Sequence, residues 1–228
     1  MALTVPSGQI ASIKKFLELP DDKIQEFLDA LSHAGPHFNM RDLGTAVLEK
    51  TKFAPELVRG IVLVLGSLYL TQDAQGTPLE QFVDGEVLAA LKNTDAFSKE
   101  RFGTQWDRLR NFLLTALSLE NTVGTSAKAG HVLTQHERIF VTARVLTDIR
   151  HVFHRDVNEK PNAALIVHML KITERDNNGN TNDKYFALDS NDVRRLRALL
   201  DRAIAKEETL KKLLSESSVS LLPPKDSF

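Results

Sequence analysis

The chain contains no cysteine. Disulfide frameworks, thiolate zinc sites and cysteine nucleophiles are therefore excluded. It also lacks an excess of either charge: 29 basic residues face 30 acidic ones, for a formal net charge of -1. A protein that holds nucleic acid by neutralising phosphates needs a clear basic surplus, so no nucleic-acid partner is expected. No long hydrophobic run is present. The longest, IVLVLG at 61–66, falls far short of the roughly 20 residues that span a bilayer, so no membrane partner is expected. The first residues, MALTVPSGQIASIKKF, lack a basic stretch followed by an unbroken apolar one. That absence of a secretory signal leads to an expected cytoplasmic location. Nucleophile elbows, phosphate-binding glycine loops, dinucleotide fingerprints and H-E-x-x-H motifs are missing as well.

What is present is an ordinary globular balance. Of 228 residues, 42% are hydrophobic and 26% charged, which suits one large domain or two small ones. Residues 1–120 carry helical periodicity broken by turns. Ser7 is placed to cap a helix bearing Ile10, Ile13, Phe16 and Leu17. A second helix follows Pro20, with Ile24, Phe27, Leu28 and Leu31 at i, i+3, i+4, i+7. Asn39 is placed to cap a third, and Pro55 suits the first helical position of a fourth. That fourth helix is apolar on nearly every side, as expected of the buried centre of a bundle. Further helices are expected after Thr77 and over 97–119. Residues 121–135 open with NTVGTSAKAG. Small, polar and glycine-containing, they read as a linker, or as a fraying extension of the preceding helix.

The second half changes character. Residues 136–153 are rich in Ile, Val and Thr, which favours a strand, although Ile139, Ala143, Leu146, Ile149 and Phe153 also lie near helical spacing. Residues 163–173 (AALIVHMLKIT) alternate with apolar residues on both faces: Leu165, Val167 and Met169 on one, Ala164, Ile166, His168, Leu170 and Ile172 on the other. Such a strand needs cover on both sides. DNNGN at 176–180 reads as a hairpin turn and KYFAL at 184–188 as the returning strand. A helix capped near Asp189 runs to about Ser215 with a stripe of Val193, Leu196, Leu199, Leu200, Ala203, Ile204 and Leu210. The fold class is therefore α+β: an N-terminal all-α bundle over 1–120, a linker at 121–135, a three-stranded antiparallel sheet with one C-terminal helix over 136–216, and a flexible tail at 217–228. One helix covers one sheet face. The other needs the bundle or a second copy of the sheet.

The order β-β-β-α after an all-helical half resembles the COMM-domain family, as a distant, prokaryote-like member. The matching residues are 161–170 (PNAALIVHML), similar to that family's proline before a leucine-rich second strand, and 186–192 (FALDSND), similar to its strand end and helix cap. The leucine-bearing helix over 196–213 completes the pattern. The tryptophan usual in the family's first strand has no counterpart; the single one, Trp106, lies outside. The resemblance implies face-to-face obligate dimers, with helical halves presenting surfaces to other proteins. The implied partners are a second copy or related chains, and Leu165, Ile166, Val167, His168, Met169 and Leu170 are the candidate interface residues.

Candidate chemistry is sparse. Five of the seven histidines lie at 131–168. His151 and His154 form an H-x-x-H near Asp148 and Asp156, a set that could ligate a divalent ion. On a strand, however, positions 151 and 154 point to opposite faces, so structural histidines are the expectation. Arg144, Asp148 and Arg150 share one strand face, either as a binding groove or ion pair or as an exposed strand surface. Arg194, Arg195, Arg197 and Arg202 are interrupted by Asp192, Asp201, Glu207 and Glu208, which reads as a solvated helix face. The expectation is a non-catalytic interaction or adaptor protein without cofactor or metal. The alternative is a metal-dependent or hydrolytic enzyme using the His/Asp cluster at 136–156.

Overall fold

The computed structural model describes residues 4–97, 103, 105–176 and 178–223. It is α+β and divides after Val132 into two units, the second spanning Leu133–Leu221.

The first unit is helical. It contains α1 (Ser7–Leu17), α2 (Asp21–Ser32), α3 (Met40–Lys50), α4 (Pro55–Gln75), α5 (Leu79–Phe82), α6 (Leu88–Lys92), α7 (Gln105–Leu117) and α8 (Thr125–Thr134). A π turn, Val83–Val87, joins α5 to α6, and another, Glu120–Gly124, leads into α8. The starts follow local chemistry. Asn39 accepts from the backbone N–H groups of Arg41 and Asp42, and Pro55 opens α4, where its missing N–H is no loss. Ser7 does not cap α1; it is the first helical residue, and Pro6 at the cap position offers no side-chain hydrogen bond.

α4 carries the core, with Val58, Ile61, Val62, Leu65 and Leu68 buried against neighbouring helices. By length and composition it could cross a membrane, yet these residues serve the bundle interior. Phe16, Phe27 and Phe112 from α1, α2 and α7 meet in this core, Phe16 lying edge-to-face 4.9 Å from Phe27 and tilted 4.5 Å from Phe112 between ring centres. Arg108 of α7 donates to the carbonyls of Leu17 and Leu19 at the end of α1 and pairs with Asp21, tying the first two helices to the seventh. The expected helix over 97–119 is shorter: Asp95–Phe97 form a 3₁₀ turn and α7 is described from Gln105, while 98–102 and 104 lie outside the described residues.

The stretch expected to be a linker is built into this unit. Thr122, Val123, Gly124, Ser126 and Ala127 are buried. The buried Tyr69 hydroxyl donates to Glu120 at 2.6 Å, and the backbone N–H of His37 donates to Ser126 Oγ at 2.8 Å. Small residues here admit close approach: a Cβ on Gly124 would stand 2.8 Å from the Tyr69 ring and 2.9 Å from Glu120. The composition that reads as a solvated loop is the composition this packing requires.

The second unit contains β1 (Arg138–Val152), β2 (Ala163–Asp176), β3 (Thr181–Leu188) and α9 (Ser190–Ser215). The sheet is antiparallel in the order β1-β2-β3. At the β2–β3 hairpin Asp176 accepts from the backbone N–H groups of Asn178 and Asn180, and Gly179 takes φ 85°, a value that favours glycine. Asp189 and Asp192 form a reciprocal capping box at the start of α9. Beyond α9, residues 216–223 form neither helix nor strand; the rest of the expected tail, 224–228, lies outside the described residues.

Candidate interaction surface

The register sorts the sheet side chains. Residues directly opposite in an antiparallel pair point the same way. Ile149 opposes Ile166, Val145 opposes Leu170, and Leu170 opposes Phe186. Thr147 opposes His168, which in turn opposes Leu188. One face is therefore apolar at its centre, and the 2.9 Å contact between Thr147 Oγ1 and His168 Nδ1 lies within it. Its far end carries Arg138, Glu174 and Lys184, with Arg138 and Glu174 paired directly.

The other face is mixed. Arg150 opposes Leu165, Asp148 opposes Val167, Leu146 opposes Met169 and Arg144 opposes Lys171. The three charges singled out in the sequence thus share a face with three of the candidate apolar residues, a juxtaposition that only pairing across strands reveals. Arg150 Nε meets Asp148 Oδ2 at 3.0 Å in an exposed pair of little energetic weight. Lys171 is bound to Asp183 at 2.8 Å and lies over the Tyr185 ring. Arg144 lines a shallow depression with Thr142, Lys171 and Thr173.

Among the described residues of the second unit, neither face of the sheet is fully covered by that unit's own elements. Leu165 and Ile166 are 60% and 56% exposed, while Val167, His168, Met169 and Leu170 are half-buried. The expectation that the final helix covers one face is not met. α9 meets β2 and β3, but exposure climbs along it from 37% at Val193 and Leu196 to 63% at Leu199 and 65% at Leu200, and no α9 residue is buried.

The two units contrast sharply. Among the described residues, every buried hydrophobic side chain lies between Val5 and Ala127. Of the large exposed ones, all but Leu63 and Val132 lie from Phe140 onward.

The histidine cluster does not converge. His151 is exposed on the apolar face near the end of β1, and His154 lies past that end in a loop. Asp156 accepts from the backbone N–H of Asn158, and no group of three His, Asp or Glu side chains disposed for a metal occurs among the described residues. Arg194, Arg195, Arg197 and Arg202 are exposed, with Arg194 donating to Asn191 and Arg197 near Asp201. A shallow surface on α2, lined by Asp22, Glu26, Asp29 and His33, was not flagged by sequence; local pairs such as Lys23–Glu26 and Gln25–Asp29 occupy it. No family model and no curated protein matches the chain.

Proposed function

We propose that the protein is a non-catalytic interaction protein that dimerises through its second unit, in the manner implied by its resemblance to COMM domains. The supporting observation is the set of exposed apolar side chains on one sheet face, on part of the other and along α9, in a unit distinct from a bundle that has its own buried core. Monomers rarely expose contiguous apolar patches beyond a few hundred Å². Covering the exposed half of such a side chain contributes roughly 1 kcal/mol, so a dozen on each protomer suffice against an association cost of about 4–15 kcal/mol. A second copy fits best because it carries the same two unmet needs, a sheet lacking a lid and a helix lacking a floor. The bundles would remain free to present surfaces to other proteins.

Light scattering on the eluting full chain tests this. The expected mass is twice the 25.5 kDa of the protomer. Ile166→Asp is expected to give monomers with the bundle still folded. A wild-type chain that stays monomeric at micromolar concentration would overturn the reading.

A further inference from the structure

We infer that assembly through this sheet is pH-sensitive and weakens on acidification, with His168 as the sensing group. This rests on the proposed dimer. His168 stands in the central strand, on the face whose middle is apolar. Its same-face neighbours are Ile166 and Leu170 along β2, Val145, Thr147 and Ile149 on β1, and Phe186 and Leu188 on β3. None is charged.

The charged and titratable groups nearby are accounted for element by element. On β1, His151 shares the face at the strand end, whereas Arg144, Asp148 and Arg150 lie on the opposite face. On β2, Glu174 is at the far end and engaged by Arg138, while Lys171 and Arg175 occupy the opposite face. On β3, Lys184 points toward Glu174, and Asp183 sits on the opposite face with Lys171. From the start of α9 come Asp189 and Asp192, both committed to the capping box, and Arg194, Arg195 and Arg197. Among the described residues, the polar contact of His168 is the Thr147 hydroxyl, which is neutral and can donate or accept.

Imidazole is the side chain that gains charge just below neutrality. In the separated protomer His168 is half-buried and so keeps access to water. In a covered sheet the same charge would lie among Ile, Leu, Val and Phe with no carboxylate to offset it, an unfavourable placement. The separated state therefore binds more protons than the assembled one, and linkage makes assembly tighten as pH rises and loosen as it falls.

Sedimentation of the full chain at about pH 7.5 and about pH 5.5 reads this directly. The dimer dissociation constant is expected to rise roughly ten- to hundredfold between them. His168→Gln, folded by circular dichroism, is expected to flatten the dependence, and His168→Leu to flatten it while tightening the dimer. His151→Gln, at the rim, is expected to leave it intact. A wild-type dimer equally tight at both pH values overturns the inference and leaves the dimer standing. Equal weakening in wild type and both His168 variants, or loss of the dependence in His151→Gln, also overturns it. A wild-type monomer at the higher pH removes the dimer itself.

Discussion

At the scale of single residues, the bundle depends on a few contacts between positions far apart in sequence. Gly124 is the sharpest case. Its missing Cβ leaves room for the Tyr69 ring and the Glu120 carboxylate, and the Tyr69 hydroxyl donates to that carboxylate. Gly124→Ala gains helix propensity but forces backbone or ring to move. It is expected to destabilise the bundle by about 1–3 kcal/mol, measured by denaturant unfolding; a stabilised variant would show the close approach to be unimportant. None of this was legible locally. The string NTVGTSAKAG looks the same whether it faces water or Tyr69 of a distant helix. The aromatic core was legible in part. Phe16, Phe27 and Phe112 fall on the apolar stripes of their helices, although spacing alone does not show that the three rings meet.

Among the elements, α9 is the most self-sufficient at its beginning and the least supported along its length. Asp189 accepts from the backbone N–H groups of Asn191 and Asp192, and those bonds hold its carboxyl below the usual carboxylate range. A group depressed on folding contributes stability above its unfolded value, near pH 4, and loses that contribution as pH falls through its folded value. Asp189→Ala is thus expected to lower the melting temperature at neutral pH and to narrow the gap from wild type below about pH 4, followed by circular dichroism. A gap that widens on acidification would contradict the capping account. The cap was readable because a capping box is a local pattern. The strand at 138–152 was less so, since its Ile, Val and Leu positions fit either period. Pairing with β2 along nearly its whole length decides between them. The sharing of one face by Arg144, Asp148 and Arg150 with Leu165, Val167 and Met169 needed the register and was beyond any single-strand reading.

Across the molecule, stability is unevenly distributed. The first unit has a buried interior; the second has hydrogen-bonded ladders and caps but, among the described residues, no buried hydrophobic side chain. If a second copy supplies it, the second unit owes its persistence to concentration, while the first does not. Limited proteolysis over a dilution series is expected to show cuts after about residue 133 appearing as the dimer dissociates, with a helical fragment resisting throughout. Concentration-independent cutting would tell against partner-dependent stability. The α+β class and its order of elements were open to a reader of the sequence because they follow from periodicity. The extent of the uncovered surface was not, because it depends on how α9 packs against β2 and β3, which periodicity does not specify.

The segregation of the buried core before Ala127 also orders events during synthesis. The residues that build that core leave the ribosome first, and helical contacts of short range form quickly. The nascent chain therefore carries a finished head while its sheet-forming portion is still being translated. When that portion emerges it exposes apolar side chains, and if a second copy covers them, as proposed, it must find another newly made molecule. The interval between release and encounter is when chaperone capture or misassembly competes, and it shortens when many ribosomes on one message place sister chains side by side.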